Sequence, residues 1–206
     1  MKVGIAMVPS AETIESLVEL QTKLLHICPL SPLLGTEQNL PHITLLQGRF
    51  RNPIDWVRLI CELRDYCREQ KYSLEFKDAK LEYKPPGWYF LTLNHPIFYE
   101  AHKFVFERLQ DLIFLTEEDR QKDTSNYSPL EKHNYLSYGY RYILDAFHPH
   151  ITLGRSLDCS RIRDEENLRH LIKSFTSNFI GTIQMITIYE LGENGSHAHT
   201  LYYVNI

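Results

Sequence analysis

Pro41-His42-Ile43-Thr44-Leu45 recurs without change as Pro149-His150-Ile151-Thr152-Leu153, with the two histidines 108 positions apart. Side chains alternate faces along an extended strand, so each copy puts an imidazole and a hydroxyl on one face and sends the intervening isoleucine to the other. Apolar residues follow each threonine, which marks the isoleucine face as the buried one. Two such strands side by side would present two histidines and two hydroxyls to one pocket. That set can move protons at a phosphate while hydroxyl donors hold its oxygens, so the repeat points to an enzyme.

A lone His-x-Thr in a strand is most often structural, because short motifs match by chance. Repetition of the whole five-residue phrase within one chain shifts the balance toward function. Two β-α-β-type halves, each carrying one copy, predict internal pseudo-symmetry with the active cleft between them.

These motifs resemble those of the 2H phosphoesterase superfamily. Its members include bacterial RNA 2',3'-cyclic phosphodiesterases (2'-5' RNA ligases), plant-type cyclic nucleotide phosphodiesterases and 2'-5' oligoadenylate phosphodiesterases. The second copy is the sharper match: His150-Ile151-Thr152-Leu153-Gly154-Arg155 is similar to the His-hydrophobic-Thr-Leu-small-Arg phrase of the RNA ligase-like branch. The first departs from it, with Leu45-Leu46-Gln47-Gly48 where that branch has an aromatic followed by Leu-Gly. In order of elements the resemblance spans nearly the whole chain. It implies an α+β, bilobal fold with two antiparallel sheets facing a central cleft and helices outside, as one domain over residues 1–206. It also implies a phosphodiesterase acting on a 2',3'-cyclic phosphate or a 2'-5' phosphodiester in a nucleotide or RNA end.

Composition fits such an enzyme. At 206 residues, 43% hydrophobic and 23% charged, the chain can bury a sizeable core as one domain. A net charge of −4 argues against a broad basic surface for long duplex nucleic acid and favours a nucleotide or short oligonucleotide as partner. No apolar run reaches the roughly 18 residues that would span a bilayer, and the N-terminus enters a strand-like run directly. The expectation is a cytoplasmic monomer without membrane contact. Cys28, Cys61, Cys67 and Cys159 contain no Cys-x-x-Cys pair and read as reduced packing thiols.

Periodicity predicts a strand at Val3–Val8, a helix capped by Ser10 and running to Leu25, and a loop over 28–39 leading into the first motif. Pro53 should open a second helix that ends by Gln70. Residues 72–83 read as one or two strands, paired across the Pro85-Pro86-Gly87 turn with a run from Trp88 to Leu93. His95 and Pro96 begin a third helix. After the second motif come a helix from Arg161 to Phe179 and a hairpin of Gly181–Leu191 with Thr200–Ile206, turning at Gly192-Glu193-Asn194-Gly195-Ser196.

In the predicted chemistry one of His42 and His150 takes a proton from water and the other gives one to the leaving ribose oxygen, while Thr44 and Thr152 donate to the non-bridging phosphate oxygens. No metal or other cofactor is required. Arg155 follows Thr152 by three, an odd offset that points it away from the catalytic face unless a bulge at Gly154 returns it. The resemblance suggests a substrate-side role for it; Arg49 and Arg51 are weaker candidates. Trp88, Tyr89, Phe90 and Phe147 could stack on a base, against core packing as the plainer role. The tyrosine-rich segment 116–144 is long for a connection and reads as an insertion or lid. His148 with His150, and His197 with His199, have metal-compatible spacing but lack a third ligand, and His26, His95, His102, His133 and His170 read as structural. The alternative to an enzyme is a nucleotide- or RNA-binding module of the same fold without catalysis.

Overall fold

The computed structural model describes residues 2–51, 53–70, 73–84, 87–156, 165–176 and 179–206, the side chains of 165–169 and 172 excepted. It is a mixed α+β molecule with a large antiparallel sheet. In chain order the elements begin β1 (Val3–Pro9), α1 (Ala11–Leu25), β2 (Leu30–Ser31), β3 (Ile43–Phe50) and α2 (Trp56–Glu69). Next come β4 (Glu75–Phe76), β5 (Lys80–Lys84), β6 (Trp88–Thr92), α3 (Pro96–Leu109), β7 (Ile113–Phe114), α4 (Glu117–Arg120) and α5 (Pro129–Tyr138). The last are β8 (His150–Ser156), α6 (Glu165–Thr176), β9 (Gly181–Leu191) and β10 (His197–Asn205).

Local chemistry explains most boundaries. Ser10 caps α1 by accepting from the Thr13 amide, as expected. Asp55, rather than Pro53, caps α2, since its carboxylate accepts from the Arg58 amide at 2.9 Å. The 72–83 run breaks into β4 and β5 around Asp78, whose φ of +57° interrupts the strand. Tyr72, Pro85, Pro86, Cys159 and the expected helix start at Arg161 lie outside the described residues. Cys28 and Cys67 are buried and Cys61 half-buried, all as free thiols.

The principal strands are hydrogen-bonded in the order β10-β9-β1-β3-β8-β6-β5. The expected pair of separate facing sheets is therefore corrected to one antiparallel path, because the two motif strands touch. They do so at a single residue pair, Ile43 opposite Ile151. Beyond that point they part, and each free edge is covered by a two-residue strand: β7 pairs with Arg49–Phe50 of β3, and β2 with Arg155–Ser156 of β8. Each motif strand thus has one full partner, β1 for β3 and β6 for β8, and a pseudo-twofold relation passes through the isoleucine pair.

The repetition extends to a bulge in each strand. Along β1, Ile5 pairs with Leu46 and Ala6 with Thr44, which leaves Leu45 as the extra residue. Along β6, Tyr89 pairs with Gly154 and Phe90 with Thr152, which leaves Leu153 extra. A bulge disrupts the ladder, and here each extra residue's carbonyl is taken by a buried helix side chain. His102 Nδ1 of α3 donates to the Leu45 carbonyl at 2.6 Å, and Gln21 Nε2 of α1 donates to the Leu153 carbonyl at 2.8 Å. His102 therefore has defined partners, its Nε2 also accepting from the Leu144 amide at 2.9 Å. Ile43, Leu45, Ile151 and Leu153 are fully buried in one core cluster that reaches strands of both halves and the helices behind them.

Candidate active site

Carrying the Ile43–Ile151 register one residue each way sets His42 opposite Thr152 and Thr44 opposite His150. The four side chains form a two-by-two block on the face opposite the core, lining a cleft of about 580 Å³. Each histidine is oriented by the same local device. His42 Nδ1 donates to the Leu40 carbonyl at 2.7 Å and His150 Nδ1 to the His148 carbonyl at 2.6 Å. In both cases the acceptor precedes a proline, which restricts that residue to extended backbone and holds its carbonyl in place. Since a carbonyl can only accept, Nδ1 carries the proton and Nε2 is left with its lone pair.

The bulges also settle where the following residues point. One extra residue restores parity, so Arg155 returns to the cleft face. Gly154 allows it with φ of +131°, a region that L side chains rarely adopt. Gln47 occupies the corresponding place in the first copy and also lines the cleft. Sequence reading passed over Gln47, although its offset from His42 equals that of Arg155 from His150. Arg49 instead pairs with Asp119 at 2.9 Å and with Glu118 at 3.1 Å, so it serves the tyrosine-rich segment.

Of the aromatic candidates, Trp88 and Phe90 line the cleft, and Tyr89 and Phe147 are corrected to the core. Consecutive strand residues cannot all face one way, so Tyr89 is directed into the core and is 1% exposed. Phe147 stacks on His102 with ring centres 4.0 Å apart. Phe90 lies 4.4 Å from the His150 ring, and the Arg155 guanidinium carbon sits 5.6 Å above the Trp88 ring. The tyrosine-rich segment folds as α4, α5 and connecting turns, each helix fastened by a capping box at Thr116/Asp119 or Ser128/Glu131. It contributes Tyr127, Tyr135, Tyr140, Arg141 and Tyr142 to the cleft wall.

Tyr189 and His197 were not legible as site residues. The Tyr189 hydroxyl lies 3.1 Å from His42 Nε2 and 3.3 Å from Thr44 Oγ1, so with Nε2 as acceptor the order of donation is Thr44 to Tyr189 to His42. His197 stacks on the Tyr189 ring at 4.4 Å. Tyr189 comes from β9 and must pass over β1 to reach His42, and it does so above Gly4. A Cβ on Gly4 would lie 2.2 Å from the tyrosine ring. His199 is exposed and is not among the residues lining the cleft. His148 and His150 have rings stacked 5.8 Å apart.

Burial holds the site histidines neutral. It brings His42 down to about 4, and His150 to about 3 with help from the neighbouring His148 and Arg141 charges. A bound anion would act in the opposite sense, stabilising the imidazolium form.

A family described only as a protein of unknown function (DUF1045) matches residues 101–196, just under half of the chain. That span contains the second motif, the tyrosine-rich segment and Tyr189. No curated protein matches. Among solved structures the chain is similar to that of TT0787 of Thermus thermophilus, at 18% identity and a TM-score of 0.50, with 100% of this chain and 97% of the other covered. At that identity the likeness speaks to fold alone. No helix among the described residues is long and apolar enough to cross a membrane.

Proposed function

We propose that the protein is a paired-histidine phosphodiesterase of the 2H type, acting on a 2',3'-cyclic phosphate or a 2'-5' phosphodiester in a nucleotide or RNA end. The observation that carries this reading is the crossed block of His42, Thr44, His150 and Thr152, with both imidazoles presenting Nε2. A cleft of about 580 Å³ is of the size that holds a nucleotide.

In hydrolysis of a cyclic phosphate, one Nε2 accepts a proton from water as its oxygen bonds to phosphorus. The bond from phosphorus to one ribose oxygen breaks, and the other histidine, protonated, delivers its Nε2 proton to that oxygen. Thr152 donates to one non-bridging oxygen and Thr44, its hydroxyl turned from Tyr189 to the phosphate, donates to the other, with Arg155 balancing their growing charge. Tyr189 keeps His42 and Thr44 in mutual register.

The test is turnover of 2',3'-cyclic AMP in EDTA. His42→Ala and His150→Ala should each lose about 10²- to 10⁴-fold in kcat while retaining the wild-type circular dichroism. The double variant should be little worse than the poorer single one, because the pair acts as a unit. Near wild-type turnover in either single variant would overturn the mechanism. Tight nucleotide binding without turnover would favour the non-catalytic module.

A further inference from the structure

Three cations of the cleft wall stand on tyrosine rings. Arg141 places its guanidinium carbon 4.4 Å from the Tyr142 ring centre and 4.8 Å from that of Tyr127. Lys84 Nζ lies 5.5 Å from the same Tyr142 ring, and Lys122 Nζ is 5.0 Å from Tyr135. Tyr142 meets His150 edge-on at 5.3 Å, so Lys84 and Arg141 are one aromatic ring away from the reacting phosphate of the proposed mechanism.

The local charge is not balanced. Among the described residues two carboxylates line the cleft, Asp123 and Glu131. Asp123 accepts from the Ser125 amide at 2.8 Å, and Glu131 is held by the Ser128 amide at 2.9 Å in its capping box. Glu131 also forms an ion pair with Arg141 at 3.9 Å, and Lys84 acts on the same carboxylate. Lys84, Lys122 and Arg155 have no ion-pair partner among the described residues. Gathering these cations around one small cavity is unfavourable unless an anion joins them. Arg155 suffices for the single negative charge of a scissile diester, which leaves Lys84, Lys122 and Arg141 facing Asp123 and Glu131, one positive charge in excess among the described residues.

We infer that Lys84 and Arg141, set on Tyr142, form a second phosphate subsite, and that the substrate is a nucleotide carrying another phosphate beyond the one cleaved. The inference rests on the phosphodiesterase reading. It favours a 5'-phosphorylated or oligonucleotide end over a bare cyclic mononucleotide. The second phosphate is either a 5'-phosphomonoester or an internucleotide diester, and the two share this chemistry.

Calorimetric binding tests it without requiring turnover. The probes are adenosine 3'-phosphate, adenosine 3',5'-bisphosphate and the dinucleotide ApA 3'-phosphate, on wild type, Lys84→Gln, Arg141→Lys and Arg141→Ala. Added phosphate should tighten binding about ten- to a hundredfold at low salt, less at high salt. That gain should shrink in Lys84→Gln, whose exposed strand-end position tolerates the change, and nearly vanish in Arg141→Ala. A gain for the bisphosphate assigns a terminal phosphate, and a gain for the dinucleotide alone assigns an internucleotide one. An increase below about threefold for both probes, or a full gain retained in folded Lys84→Gln and Arg141→Lys, would overturn the subsite. If the gain holds but no cyclic phosphate is turned over, the catalytic reading fails and the subsite stands.

Discussion

The two His-x-Thr strands share five residues, a bulge, a proline-fixed carbonyl and a single contact point, yet their neighbours are opposites. Next to the first motif, β1 offers Gly4 and Ala6; next to the second, β6 places Trp88 and Phe90 in the matching positions. Small residues on β1 let the strand beyond supply the contact, and Tyr189 crosses Gly4 to reach His42. Large residues on β6 fill that space directly, and the position matching Tyr189 is Lys84, paired with Trp88. Duplicated backbone thus fixes where the two histidines stand, and the neighbouring strand decides what each is exposed to. The His42 half is closed and hydrogen-bonded. The His150 half is aromatic and cationic.

The sharpest way to break this comparison is at the position where the motifs themselves differ, Gln47 against Arg155. On the proposed chemistry only Arg155 opposes charge building on the phosphate. Arg155→Gln makes the halves alike and should cost about 1.5–3 kcal/mol of transition-state stabilisation, roughly ten- to a hundredfold in kcat/KM. Gln47→Ala should cost a few-fold at most. Equal losses would show that the cleft treats its halves as equivalent.

A smaller effect separates the histidines. Tyr189→Phe removes the donor to His42 Nε2, worth about 0.5–1.5 kcal/mol, so activity should fall roughly two- to tenfold. That donor favours the neutral ring, so its loss should also raise the His42 titration midpoint by NMR and leave His150 in place. Gly4→Ala should reproduce both effects by displacing the tyrosine ring, at an overpacking cost of about 1–3 kcal/mol in stability. A shift of both histidines, or of neither, would mean that Tyr189 is packing alone.

These expectations also show what the sequence could carry. Alternation along two identical phrases was enough to place His42, Thr44, His150 and Thr152 together with their isoleucines inside, because period-two patterning is local information. The Ser10 cap of α1 and the start of α3 at Pro96 were legible for the same reason. Tyr189 was not: its role depends on a cross-strand register and on a missing side chain at Gly4, neither of which leaves a local pattern. The Gln21 and His102 hydrogen bonds to the bulge carbonyls are likewise products of tertiary placement. Trp88-Tyr89-Phe90 looks like one aromatic face by composition, but the alternation that places the motifs turns Tyr89 inward.

The closed half makes a last expectation, concerning stability. His197 is 1% exposed and stacked on Tyr189; its Nε2 meets Thr187 Oγ1 at 3.3 Å and its Nδ1 has no partner among the described residues. Burial brings it down to about 3, beside about 4 for His42 and His102 and about 3 for His150. An unfolded chain protonates these rings near 6.5, so below that pH it binds protons that the folded state refuses. Their contribution is therefore complete above pH 6.5 and is lost as pH falls toward 4, by up to about 1.4 kcal/mol per pH unit for each ring. His197→Phe keeps an aromatic ring on Tyr189 and removes one titrating group. Urea unfolding at pH 7, 6 and 5 should show wild-type stability falling steeply, and the variant falling less by up to that single-ring slope. Parallel curves would mean that His197 is protonated in the folded protein, and the closed character of the His42 half would have to be given up.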